Sequence, residues 1–280
     1  MIMSLFRVVK SENYFFHSRL ISFLIYKNYN FCTFYSMSST LNQRISLIIS
    51  KVKESTPNAP VFKFGAESIQ TVKPEEDPKL YRLQSFFAAK LSPQSKDERT
   101  FATCRRIFSA IEPFTIERLS KVTEEEFNKI LVDARHGFAK THSRQLVACI
   151  KTMIDDFEGD LPKTREGMMS LKGVGPKVAN LLMQLCWDEK HMVVDTHCIR
   201  VGARIGLHSC KTAEKTLEYL QQNVDQDLFA DLSVSLIALG QTVCKSQNPQ
   251  CSECPIRELC DFGKNKTRKE AVPAKKPRKE

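Results

Sequence analysis

The sequence predicts an all-α fold, and three observations carry that prediction. From about residue 79 to 260, apolar residues recur three and four positions apart. The alternation that marks half-buried strands is scarce there. Thr123, followed three residues later by Glu126, is a capping box that opens a helix.

The elements follow in order. STPNAP (55–60) and KPEEDP (73–78) are Pro-rich joints. KLYRLQSFFAAKL (79–91) reads as a buried helix whose apolar run is broken by Lys90. Asp97 to Ala110 repeats Phe101, Cys104 and Phe108 at helical spacing. The capping box starts the next helix, and Ser143 to Ile154 continues with Leu146, Val147 and Ile150. In LKGVGPKVANLLMQL (171–185), Gly173 and Gly175 permit a tight hairpin with φ > 0, and Pro176 suits the first position of a helix. That helix carries Val178, Leu181, Leu182 and Leu185 on one face. Residues 212–220 and 228–239 complete the set.

The net charge is +10, but its placement matters. Residues 261–280 carry +5 and residues 1–40 carry +3, which leaves +2 for the remaining 220 residues. A nucleic-acid surface on the body must therefore be a local patch. Residues 1–40, poor in acids and with spaced Arg and Lys, read as a transit or leader segment, with Met37 as an alternative start. Residues 264–280 read as a basic disordered tail, a localisation signal or a DNA-binding arm. There is no run of apolar residues long enough to cross a membrane, so no membrane partner is expected.

Cys244, Cys251, Cys254 and Cys260 form a C-x6-C-x2-C-x5-C pattern over 17 residues. Four thiolates this close can converge on one soft metal centre. An iron–sulfur cube and a zinc ion both fit the spacing, and a disulfide knot is a third reading.

Two further residues point to chemistry. Lys177 falls in the first turn of the helix after the hairpin, where the dipole disfavours a cation and so favours a neutral, nucleophilic amine. A solvent-facing or phosphate-contacting lysine is the plainer reading. Asp195, in VVDTHCIRVGARIG (193–206), follows an apolar run and reads as an N-cap that could also face a cleft and handle a proton. His197 reads as first-turn packing rather than a metal ligand. Arg200 and Arg204 share one helix face, open to phosphate or to solvent.

In order and spacing, LSPQSKD (91–97), LKGVGPK-VAN (171–180), VVDTHCIRV (193–201) and the cysteine loop together resemble the endonuclease III family, helix-hairpin-helix DNA glycosylases with AP-lyase activity. The resemblance covers about residues 57–263. It implies a six-helix barrel at 79–189, an iron–sulfur lobe built from 57–78 and 190–263, and a DNA-binding cleft between them. It favours a [4Fe–4S] cluster on the four cysteines. It makes Lys177 the Schiff-base nucleophile, Asp195 its acidic partner and Gln94 the filler of the gap left by a flipped nucleotide. It expects DNA contacts at Lys172, Gly173, Gly175, Arg200, Lys245 and Arg257. The implied partner is duplex DNA bearing oxidised pyrimidines or abasic sites, bound by a monomer in the nucleus and mitochondrion. A monofunctional adenine glycosylase and a non-catalytic DNA-binding scaffold are the alternatives; Lys177 argues against the first, and Lys177 with Asp195 against the second. Three positions depart from the family pattern: Lys172 replaces a usual Pro, Lys90 a usual apolar residue, and Pro93 a usual small one.

Overall fold

The computed structural model describes residues 40–265. The leader segment before residue 40 and the basic tail from 266 lie outside the described residues. The chain divides at residue 43, and the larger unit begins at Arg44. Among the described residues every regular element is helical.

Helix α1 runs to residue 55 and contributes residues 44–55 to this unit. It is followed by α2 (Pro60–Phe64) and α3 (Pro78–Leu91), then by α4 (Asp97–Ala110), α5 (Ile116–Leu119) and α6 (Glu124–Asp133). The long α7 (Ala139–Phe157) precedes α8 (Arg165–Ser170) and α9 (Pro176–Trp187). The last three are α10 (Thr196–Ile205), α11 (Ala213–Asn223) and α12 (Phe229–Gln241). The cysteine loop after α12 holds only short 3-10 turns, at Cys251–Glu253 and Arg257–Leu259.

Local sequence explains where these helices start. Asp77 caps α3 by accepting from Leu80 N–H at 3.0 Å, with Pro78 at the first helical position. The capping box of α6 forms in both directions: Glu126 N–H donates to Thr123 Oγ1 (3.2 Å), and Thr123 N–H donates to the Glu126 carboxylate (2.8 Å). From Leu83 onward α3 is buried on every side, which makes it the central helix, packed against α4 and α9. Phe87 gathers an aromatic core around it, with Phe114 at 5.2 Å, Phe86 at 5.7 Å and Phe127 at 6.2 Å between ring centroids. Ile154 of α7 is exposed, because Met153 takes the buried position that continues the Leu146 and Ile150 face.

The fold has two helical lobes. The core around α3 to α9 fills the first. Buried residues of α1 (Ile45, Ile48, Val52), α10 (Val201, Ile205) and α12 (Leu232, Leu236) build the second. Arg44 ties α1 to it by donating to the carbonyls of Ile205 and Leu259, each at 2.6 Å. Helix α2 packs on both α4 and α12 and so joins the lobes. Gly240 lets α12 lie close to α10, since a Cβ there would fall 2.1 Å from His197 Nδ1.

Candidate active site and cluster loop

Where the lobes meet, a cleft of about 540 Å³ is lined by Gln94, Asp97, Lys177, Asp195 and Gln241, among others. They come from the α3–α4 junction and from α9, the start of α10 and α12. Lys177 stands in the first turn of α9, as expected, and Asp195 is the N-cap of α10. Asp195 divides its two oxygens between two tasks. Oδ1 accepts from the N–H groups of His197 (2.8 Å) and Cys198 (2.9 Å), and Oδ2 lies 3.7 Å from Lys177 Nζ. The aspartate side chain is 11% exposed and the lysine 36%, so the carboxylate is held while the amine keeps access to the cleft.

The segment that delivers Asp195 is fastened from both sides. Asn180 of α9 donates to Met192 O at 2.7 Å and accepts from Arg165 Nε at 2.7 Å. Ser233 of α12 donates to Val193 O at 2.9 Å. The Lys177 to Asp195 distance is thus fixed by α8, α9 and α12 together.

Asp97 is a third member of the cleft, which sequence reasoning took only as a helix start. Burial raises its pKa, against the opposing hydrogen bond from Gln241 and the nearby Lys177 charge. Gln241 Nε2 donates to Asp97 Oδ2 at 2.8 Å, while Gln241 Oε1 accepts from Val61 N–H at 2.9 Å. This bridge spans 144 residues of sequence, and no local pattern announces it. Gln94 is exposed at the cleft with φ 56°, a left-handed backbone that is costly for a residue with a side chain. It is no helix cap, since Lys96 holds the cap position of α4.

In the hairpin, only Gly173 takes a positive φ, of 73°. Gly175 has φ −100° and ψ 178°, ordinary extended backbone, which corrects the expectation for that residue. A Cβ at Gly175 would meet nothing within 4 Å, so that side of the loop is open to an approaching group. Lys172 is exposed beside Gly173.

The arginines of α10 face another way. The Arg200 guanidinium donates to the carbonyls of Cys244 (3.1 Å) and Gly240 (3.3 Å), and so braces the start of the cysteine loop. Arg204 donates to Lys245 O (2.6 Å) and Ser246 O (2.8 Å) and approaches Cys244 Sγ at 3.4 Å. Lys245 is exposed and its ammonium reaches back to Gln241 O. Arg257 lines the space enclosed by the cysteines.

Cys244, Cys251, Cys254 and Cys260 surround one small cavity, with Val243, Pro249 and Phe262 also in its wall. All four are free thiols, which excludes the disulfide knot. Among the described residues no three His, Cys, Asp or Glu side chains converge closely enough for a single ion. The thiols enclose a space rather than a point. Burial pushes the Cys254 thiol up to about 11; a bound metal centre deprotonates its thiol ligands and reverses that. Gly263 N–H donates to Cys260 Sγ at 3.4 Å, and with Arg204 beside Cys244 it supplies the polar partners that sulfur ligands of an anionic cluster require. The donor set fits an iron–sulfur group.

Residues 87–226 match the family described as HhH-GPD superfamily base excision DNA repair protein, and residues 244–260 match the iron-sulfur binding domain of endonuclease III. Endonuclease III of Thermotoga maritima is 28% identical over 172 residues, covering 61% of this chain and 79% of its own. Endonuclease III-like protein 1 of Mus musculus is 27% identical over 213 residues, covering 75% and 69%. A solved endonuclease III–DNA complex without a covalent link superimposes with a TM-score of 0.65 at 24% identity, over 81% of this chain and 98% of that one.

Proposed function

Because the chain belongs to the HhH-GPD superfamily of base excision DNA repair proteins, and within it to the endonuclease III family, we propose that this DNA glycosylase is also an AP lyase that acts on oxidised pyrimidines in duplex DNA. The observation that carries this reading is Lys177 Nζ at 3.7 Å from Asp195 Oδ2, in a cleft beside the hairpin. A C1′ atom inside the base stack is out of reach, so the damaged nucleotide must turn out of the duplex into the cleft. Gln94, exposed at the rim, would occupy the gap it leaves.

The Lys177 amine attacks C1′; the C1′–N glycosidic bond breaks and the base leaves as an anion that takes its proton from water. Asp195 stabilises the positive charge that develops on the sugar and takes the proton released by the amine. Asp195 returns that proton to O4′ as the C1′–O4′ bond breaks, and the opened sugar carries an iminium between Lys177 and C1′, which acidifies C2′. Loss of a C2′ proton then expels the 3′ phosphate by β-elimination, and water releases Lys177. Backbone N–H groups at Gly173 and Gly175, where α9 begins, hold phosphate.

Cys244, Cys251, Cys254 and Cys260 would hold the [4Fe–4S] cluster, which would tie the loop after α12 together. Arg200 and Arg204 fix that loop against α10, the helix that Asp195 caps. Cluster and catalytic pair are linked mechanically in this way, and no step of the reaction needs an electron. Lys245 and Arg257 extend a basic surface from the loop toward DNA. We further propose a monomer. The leader and tail direct it to mitochondrion and nucleus, a reading that rests on their composition alone. Among the described residues no helix is long and apolar enough to cross a membrane.

The test is a duplex with one oxidised pyrimidine, labelled at the 5′ end. Strand scission without added alkali is the expected result. Base release with scission only after alkali would mean a monofunctional glycosylase and would overturn the lyase reading.

A further inference from the structure

Lys90 is 2% exposed, in the stretch of α3 that is buried on every side. Its ammonium donates to Gln145 Oε1 at 2.6 Å and to Gly173 O at 2.8 Å. Both acceptors are neutral. Among the described residues no carboxylate stands within ion-pair distance, so a buried cation lacks the counter-charge that usually accompanies one. Gln145 also presses on Gly173, where an added Cβ would come within 2.6 Å of its amide. The tip of the hairpin thus rests on a platform of Lys90 and Gln145, joining α3 and α7 to the loop before α9.

We propose that Lys90 is a positioning residue for DNA binding: it pins the hairpin through Gly173 O and supplies, from beneath, a positive charge whose counter-ion is the DNA phosphate held above. This rests on the reading that the hairpin binds phosphate. The charge is costly in the free protein, where burial lowers the lysine pKa. A phosphate docked on the far side of the loop offsets part of that cost, so the desolvation accepted on folding is returned as affinity. A methionine at this position would fill the same volume without the cost, and would leave the hairpin without its pin and its charge.

The experiment measures binding of the full-length, cluster-loaded protein to a duplex with a reduced abasic analogue that cannot be cleaved, over a range of salt, together with KM and kcat on a lesion duplex. Lys90→Met is expected to weaken binding by about tenfold, the scale of one charge-assisted hydrogen bond, and to flatten the salt dependence. KM should rise while kcat moves much less. Gln145→Glu separates charge from mechanics: it strengthens the pin but neutralises the cation, and it should weaken binding as well. Lys90→Met with unchanged affinity and salt slope, or a fall in kcat at unchanged KM, overturns the proposal. So does Gln145→Glu with wild-type affinity, which also decides the matter if Lys90→Met fails to fold. Wild-type protein that does not bind the duplex at all would instead sink the hairpin reading, and this inference with it.

Discussion

Replacing Asp195 by Asn separates its two tasks, because the two oxygens do different work. The Asn side-chain oxygen can still accept from His197 and Cys198 N–H, so the α10 cap survives. Asn and Asp are about equal as N-caps. What disappears is the negative charge 3.7 Å from Lys177. At an effective dielectric of 20, that charge is worth about 4 kcal/mol to a full positive charge at such a distance. With a third of the lysine exposed, solvent screening leaves roughly 2–3 kcal/mol. This corresponds to about 30- to 150-fold in rate, and lost proton handling adds to it, for a total fall of at least about 10²-fold. Asp195→Ala removes the cap too, at about 1–2 kcal/mol of stability, or roughly 3–6 °C in Tm. Single-turnover cleavage of a lesion duplex and thermal melts of both variants provide the measurements. The reasoning predicts that both variants are slow and only the Ala variant melts early. An Asn variant within a few-fold of wild-type rate, or one destabilised as much as the Ala variant, would refute it.

Three other outcomes follow from the structure. Asp97 has a pKa raised by burial, so its charged form is disfavoured on folding; that stability is greatest below pH 3.8 and lost as pH rises through the folded value. Asp97→Asn should therefore melt higher than wild type at neutral pH, and a lower Tm would contradict this. His142, hydrogen-bonded to His136 at 2.7 Å, is held neutral by burial, its pKa lowered to about 4. Stability should accordingly fall by roughly 2–3 kcal/mol as pH drops from 6.5 to about 4, with a shallower fall in His142→Gln; parallel curves in urea titrations would count against the assignment. Arg200→Ala leaves the Gly240 and Cys244 carbonyls without their cation. Faster loss of the cluster's visible absorbance on dilution or chelation is expected, and an unchanged rate would show that the loop does not need this brace.

The sequence announced the parts of the site that rest on local physics. A Pro at N1, a capping aspartate and a capping box each act within four residues, and they appear where the pattern placed them. The cysteines were legible because their ligand spacing is short. Contacts closed by the tertiary fold were not legible. The Gln241 to Asp97 bridge and the inward turn of Arg200 depend on how α12 docks, which no window of sequence contains. Helix α1 is a different case: Ile45, Ile48, Ile49 and Val52 have the spacing of a buried face, and that signal was available. Lys90 looked like an interruption of a core helix because its acceptors lie 55 and 83 residues away.

The central claim is that Lys177 forms the covalent bond to the sugar. Incubating the cluster-loaded protein with a lesion duplex in borohydride, digesting the product and locating the added sugar by mass spectrometry tests it directly. The account predicts a reduced adduct on the Lys177 side chain and no adduct in Lys177→Ala. An adduct on another lysine, or none with either lesion or abasic duplex, would contradict it.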